Sequence, residues 1–419
     1  MPKPYTVSKP ISTACETLIT HPAVAVAMAF LEKEQKLRVE EQIAIASIPA
    51  PTFHERQRAE ALCRYFNDLG LSDVRIDAHG NAIGIRRGIG DGPRVLIEAH
   101  MDTVFPMDTP LEPRFEGTKV FMPGINDNAS GLASLLSIVR GLGSAGIETI
   151  GELWFVGTVE EEGRGCLGGM EKLVRDNYFD ASISMDCAGF GFFAWCGTAI
   201  RSMVIHFHCQ GGHASASFGQ VANALYAAAR AVTKIAEFRV PHESQTIYCV
   251  SNFHAGSDAA INAVAPDACI KINYRSNNQA DLEALHTRIL AACEQASKEE
   301  TARWGMDTVT WDYETTDDLA VAVQDVRNPL VQAMVAVYRA MGVEEPRLLD
   351  GGACNVMPAL QKGIQGVCIG TGGAGNAHTL DEYYDAVDMH QGPQSAMLAA
   401  LMMVGVHGCI EPQAQMSIG

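Results

Sequence analysis

The chain has 419 residues, of which 47% are hydrophobic and 19% charged; this is an ordinary globular composition on a chain too long for one typical core, so two domains are expected. A formal net charge of -18 argues against a nucleic-acid surface, which needs a basic stripe. No run of about 18 apolar residues occurs, so no membrane span is expected.

Ala23 to Leu31 is apolar but runs into Glu32, Lys33 and Glu34 without a small-residue cleavage pattern; it reads as an amphipathic helix and not a signal peptide. The 12 cysteines are scattered, with no Cys-x-x-Cys pair, as expected for reduced thiols in a cytoplasmic protein. Residues 21–47 read as one helix, which Ile48-Pro49-Ala50-Pro51-Thr52 breaks. Thr52 is placed to cap the next helix, with Glu55 completing a capping box. In that helix Leu62, Tyr65, Phe66 and Leu69 form a core-facing stripe that Gly70 ends. Short segments at 73–77 and 82–86, joined through Gly80-Asn81, carry a hairpin signal.

Val95 to Ala99 is a short apolar run that ends in His100 and, two residues on, Asp102. Such runs fit strands buried on both faces, and in open α/β sheets ligands sit beyond the carboxyl ends of those strands. Imidazole suits zinc, and a ligating His needs a partner to fix its tautomer. The turn-rich segment Phe121 to Asn128 opens a helix striped by Leu132, Leu135, Leu136 and Val139, with Asp127 at the expected N-cap. A second apolar strand, Leu153 to Val159, runs into Glu160-Glu161-Glu162-Gly163. Three adjacent carboxylates at a buried strand end are best accounted for by a cation. A third strand, Ala181 to Met185, ends in Asp186, so three strand ends in succession present a His or an acid to one rim.

From about Arg201 the texture alternates. His206 and His208 share a strand face, but no carboxylate or further His follows nearby in the sequence to complete a metal site, so the pair reads as a solvated face. Strand-like runs at 246–253 and 268–274, a helix from Asp281 to Ala296, and a last strand near Thr308 to Trp311 give a strand, helix, strand, strand, helix, strand order. This is the ferredoxin-like order, placed as an insert at about 200–315. The first domain then resumes with a helix striped by Leu330, Met334, Val337, Tyr338 and Met341. A short strand, Gly366 to Gly370, leads into the Gly-rich loop that ends in His378.

With these blocks assembled, the chain resembles the di-zinc exopeptidase family of bacterial glutamate carboxypeptidase, tripeptidase (peptidase T) and aminoacylase. The resemblance rests on His100-Met101-Asp102, Gly124 to Asn128, Thr158 to Gly163, Ser184-Met185-Asp186 and Gly375-Asn376-Ala377-His378, in the family's order. It implies an α/β zinc-exopeptidase catalytic domain, with a mainly parallel sheet flanked by helices. An inserted ferredoxin-like α+β domain would serve as lid and dimerisation module. The domain limits follow as 1–199 and 316–419 for the catalytic domain and 200–315 for the insert.

The resemblance also implies roles. Asp127 bridges two zinc ions, His100 and Asp186 complete one, and Glu162 and His378 the other; cobalt or manganese would be substitutes. Glu161 is the general base and Asp102 orients His100. The acidic triplet leaves an alternative offset, in which Glu160 and Glu161 are base and ligand. Gly212-His213-Ala214-Ser215 looks like the family's lid motif, so His213 would reach the site of a partner subunit in a homodimer. Asn262 and Arg275 look like the contacts to substrate carbonyl and carboxylate. Many relatives carry an Asp in the loop near Cys354, so no relative's substrate preference transfers directly. The activity implied is hydrolysis of an amide next to a free terminus of a small peptide. The alternatives are N-acyl-amino-acid deacylation or, from another class, a binding or scaffold protein without activity. Neither nucleic acid nor membrane is an expected partner.

Overall fold

The computed structural model describes residues 5–304 and 308–415. The chain divides into two compact units, one made of the segments up to Gly197 and from Ala322, the other Thr198–Val321.

The first unit begins with three helices, α1 (Lys9–Thr20), α2 (Pro22–Lys33) and α3 (Gln35–Ala46), where the sequence suggested a single helix from residue 21. Pro22 accounts for the first break: proline is tolerated in a helix's first turn and not beyond it. Next come α4 (Arg56–Asp68), β1 (Ser72–Ile76), β2 (Ala82–Arg86), β3 (Arg94–His100), β4 (Arg114–Glu116), β5 (Lys119–Phe121), α5 (Ala129–Ser144), β6 (Glu152–Thr158), α6 (Gly168–Asp176), β7 (Ala181–Met185) and β8 (Phe192–Cys196).

The second unit holds β9 (Ala199–His208), β10 (Gly212–His213), α7 (Ala224–Ala236), β11 (Ile247–Ala255), β12 (Ala263–Val264), β13 (Asp267–Ser276), α8 (Gln279–Trp304) and β14 (Thr310–Leu319). Its four long strands form an antiparallel sheet in the order β11-β13-β9-β14, the ferredoxin-like arrangement. Its own core joins Ile205, Phe207, Ile270 and Ile272 of the sheet to Ala228, Ile235, Leu285 and Ile289 of the two helices.

The first unit then resumes with α9 (Pro329–Ala340), β15 (Arg347–Asp350), α10 (Val356–Gln361), β16 (Gln365–Ile369), β17 (Ala374–Gly375), β18 (Tyr383–Asp385) and α11 (Gln391–Val404). Helix α11 carries no one-sided apolar stripe, because it is buried on every side. The central sheet has the order β1-β2-β6-β3-β7-β16-β8-β15. Strands β6, β3, β7 and β16 are mutually parallel neighbours, so their carboxyl ends share one edge.

Both faces of that sheet are covered. Val95 and Ile97 of β3 pack with Leu132, Leu136, Val337 and Leu401 on one side. Leu96 meets Met170 and Leu173 of α6 on the other. Burial on both faces is why these strands read as continuous apolar runs. The chain goes from β3 to β6 on one side and then crosses to β7 on the other, so β3 is the point where strand order reverses. Ligands are expected at the carboxyl end of such a point. Among the described residues no single helix is long and apolar enough to cross a membrane.

Candidate metal centre

His100 is the last residue of β3 and is buried. Its Nδ1 lies 3.1 Å from the Asp102 main-chain oxygen and 3.5 Å from the Asp102 carboxylate. With Nδ1 engaged, Nε2 faces the other acids: it is 2.9 Å from Asp127 Oδ1 and 3.6 Å from Asp186 Oδ1. On the far side of the same Asp127 carboxylate, His378 Nε2 is 3.0 Å from Oδ2 and also 3.0 Å from Glu162 Oε1. One carboxylate thus stands between two imidazole–carboxylate pairs.

Local structure frees Asp127 for this position. The N-cap of α5 is Asn128 and not Asp127; its Oδ1 accepts from Gly131 N at 3.0 Å and its Nδ2 donates to Met185 O at 2.9 Å. The expected capping box of α4 is also absent: the helix starts one residue after Glu55, with no side-chain cap. Thr52 instead donates its hydroxyl to Asp102 Oδ2 at 2.9 Å, and Glu55 Oε1 accepts from Phe53 N and Glu160 N. Asp102 also accepts the main-chain N–H groups of Glu161, at 3.0 Å, and Glu162, at 2.9 Å. A single buried carboxylate therefore fixes both β3's exit and the acidic loop after β6.

Within that loop the three acids separate. Glu160 pairs with Lys172 Nζ at 2.9 Å, Glu162 faces His378, and Glu161 lies between them in sequence with its main chain held by Asp102. Burial holds the Glu161 carboxyl well above the usual carboxylate range, against the opposing pull of His100; the charges of Asp186, Glu162 and Asp102 add to the rise. Burial likewise pushes Asp186 up to about 6. Burial works against a charged His100, but Asp186, Asp102 and Asp127 overcome it and hold the imidazole well above its ordinary value. His378 is raised to about 10 by its bonds to Asp127 and Glu162. The field at this rim favours positive charge.

A divalent cation fits these donors. His100, Asp127 and Glu162 each offer a ligand atom, all within 4.8 Å of one another. Asp127 Oδ1 is buried and, although 2.9 Å from His100 Nε2, completes no hydrogen bond. Two donors at about 2.0–2.2 Å from one tetrahedral zinc lie roughly 3.3 Å apart, so the separation of His100 Nε2 and Asp127 Oδ1 suits a shared ion.

Two further carboxyls escaped the sequence reading. Glu382 accepts the main-chain N–H groups of Gly124 at 3.1 Å, Asn126 at 2.8 Å and Asp127 at 2.9 Å, which shapes the loop carrying Asp127. Burial raises it to about 7. Glu98, two residues before His100, accepts from Thr158 Oγ1 and Asn355 Nδ2, both at 3.0 Å, and is likewise pushed by burial to about 7. Glu98 left one signal in the sequence: an acid inside an otherwise apolar strand.

In the second unit, β10 pairs with β12, and Ala214 N donates to Asn262 O at 2.8 Å, so His213 and Asn262 share one ribbon. Arg275 is exposed near the other end of β13 and donates to Asn273 Oδ1 at 3.1 Å. Eight residues of strand separate it from Asp267, about 25 Å at the usual rise. Arg275 therefore does not join His213 and Asn262 within one copy of this unit. Cys354 is buried beside Cys368, whose Sγ is 3.6 Å from that of Cys187.

Comparison with known proteins agrees with this architecture. The chain is 26% identical over 284 residues to the uncharacterized protein YqjE of Bacillus subtilis, covering 63% of this chain and 72% of that one. It is 25% identical over 280 residues to a succinyl-diaminopimelate desuccinylase of Leptothrix cholodnii, covering 61% and 72%. A crystal structure of a Staphylococcus aureus tripeptidase superposes with a TM-score of 0.75 at 19% identity, over 87% of this chain and 97% of that one, and so shares the fold. The profile of Peptidase family M20/M25/M40 matches residues 96–402, the span that runs from β3 and His100 past His378 into α11, and the chain belongs to that family of hydrolases.

Proposed function

We propose that the protein is a zinc-dependent exopeptidase that hydrolyses the amide bond next to a free terminus of a small peptide. The observation that carries this reading is the Asp127 carboxylate, whose two oxygens face His100 at 2.9 Å and His378 at 3.0 Å. Asp127 would be shared by two ions, with His100 and Asp186 completing one set of donors and Glu162 and His378 the other. Such nitrogen and oxygen donors also accept cobalt or manganese. When bound, the ions polarise the scissile carbonyl and stabilise the charge that develops on its oxygen.

Glu161 acts as the general base: its carboxylate takes a proton from the attacking water and delivers it to the leaving nitrogen. The bond between Glu160 and Lys172 supports giving the base role to Glu161 and not to Glu160. Asp102 keeps His100 Nδ1 engaged and holds the main chain of Glu161 and Glu162. His213 and Asn262 contact the substrate carbonyl, and Arg275 is suited to a terminal carboxylate because guanidinium binds it bidentately. The span of about 25 Å between the His213 ribbon and Arg275 exceeds a small peptide, which supports a homodimer in which the two come from different copies. The Thr198–Val321 unit would then be the lid and dimerisation module.

The desuccinylase relative favours a second reading, removal of an acyl group from an amino acid by the same chemistry. Two measurements separate the possibilities. Glu161→Gln should keep its two equivalents of metal and lose turnover by about 10²–10⁴-fold; retained turnover would remove Glu161 from the mechanism. A panel of free dipeptides and tripeptides against N-acyl amino acids then identifies the substrate. Turnover of the acylated compounds alone would establish the deacylase reading instead.

A further inference from the structure

The outer face of the second unit's sheet carries a group of metal-type donors that the hydrolytic reading does not use. In β9, Ile205 and Phe207 point into the core, while His206 and His208 point outward and are half-buried. Their sequence neighbourhood offers no carboxylate or further His, but the paired strands supply two acids and a thiol. His206 stands directly opposite Cys269 of β13 and Asp312 of β14, and His208 directly opposite Asp267 of β13. Side chains in direct cross-strand register have Cβ atoms about 4.5–5.5 Å apart.

His208 is held in a particular way. Its Nδ1 lies 2.7 Å from Asp267 Oδ1, and its Nε2 faces Asp312 Oδ2 at 3.4 Å. One ring nitrogen fixed by a carboxylate and the other turned toward a second carboxylate is the arrangement of a metal-binding imidazole with its orienting partner. The His206 ring lies alongside, stacked at 6.0 Å and 10°, and its side chain would have to turn for a nitrogen to join the same ion. In the next row Glu314 and Lys271 flank Val204; one cation among the carboxylates of Asp267, Asp312 and Glu314 leaves the patch negative.

We propose that His206, His208 and Asp312 form a further transition-metal site, with Asp267 orienting His208 and Cys269 in reach as a fourth donor. Two imidazoles, a carboxylate and a thiol select a borderline divalent ion such as Zn²⁺, Ni²⁺ or Cu²⁺ over Mg²⁺ or Ca²⁺. The ion would tie β14, an edge strand, to β9, and would add stability to the unit through metal linkage.

The test uses the full-length protein, freed of metal and titrated with Zn²⁺. The wild type should bind one equivalent more than His206→Ala/His208→Ala, and hydrolysis should be unchanged in that variant. Asp267→Asn should weaken the extra equivalent by about 10–100-fold. Cu²⁺ bound to the wild type should show coupling to two imidazole nitrogens that the double variant lacks. If the alanine pair fails to fold, judged by circular dichroism, His206→Asn/His208→Asn replaces it. Equal stoichiometry in wild type and variant, or an extra equivalent held more weakly than about 1 mM, would overturn the proposal. Asp127→Ala, which removes the shared ligand of the other centre, should leave this equivalent in place, so failure here is distinguishable from failure of the hydrolytic reading.

Discussion

Asp102 illustrates how much one side chain can organise. Both of its oxygens only accept: Oδ1 from Glu161 N, Oδ2 from Glu162 N and the Thr52 hydroxyl. In Asp102→Asn the amide group must turn a donor against one of these donors, so the acidic loop shifts. Metal affinity and turnover should both fall, by about 10–100-fold for affinity, as read by competition with a chelator of known strength. Thr52→Val removes the hydroxyl that donates to Asp102 and, at 3.4 Å, to Glu162 O, and leaves the carboxylate, so it should cost only about 0.5–1.5 kcal/mol of stability. Glu382→Ala would leave three main-chain N–H groups without their acceptor. A loss of about 1–3 kcal/mol is expected from the denaturation midpoint, together with weaker metal binding because the Asp127 loop loses its shape.

At the scale of elements, the contact between α5 and the end of β7 decides where Asp127 sits. Gly131, in the first turn of α5, approaches so closely that an added Cβ would lie 2.3 Å from Asn128 Oδ1 and 2.3 Å from Met185 O. Gly131→Ala should improve helix propensity yet destabilise the protein, because both obstructing atoms belong to the cap and the strand end. A cost of about 1–3 kcal/mol in urea denaturation is expected; a neutral or stabilising change would show that the helix start can retreat without penalty. The same junction explains a sequence expectation that did not hold. Both Asp127 and Asn128 are good caps, and only the position of Met185 O, delivered by β7, selects Asn128.

For the whole molecule, the two crossings between units are adjacent in space. Gly197 N donates to Ala322 O at 2.7 Å and Ala322 N to Gly197 O at 3.1 Å. Replacing 198–321 by a short Gly-Ser linker should therefore leave the remaining unit folded around its own core, with its metal equivalents retained. Turnover of small peptides should be lost if His213, Asn262 and Arg275 contact substrate as proposed. Metal analysis and circular dichroism of the deletion protein check the first expectation, and a peptide assay the second.

Much of the site was legible in the sequence because strands buried on both faces give unbroken apolar runs, and a His or an acid at the end of each run stands out. His100, the Glu160 to Glu162 triplet and Asp186 were visible that way, and the βαββαβ order of the second unit followed from alternating periods. What the linear order could not supply was lateral arrangement. The parallel registry of β6, β3, β7 and β16 is what gathers the strand ends on one edge. The turn of Thr52 and Glu55 away from a helix cap toward Asp102 and Glu160 is a contact between distant segments, as is Glu382's hold on the Asp127 loop. His206 and His208 make the same point: their neighbours in sequence are apolar or neutral, and their acidic neighbours arrive only when β13 and β14 pair with β9. Periodicity reports which way a residue faces, whereas the partner it meets there depends on strand pairing between segments far apart in the chain.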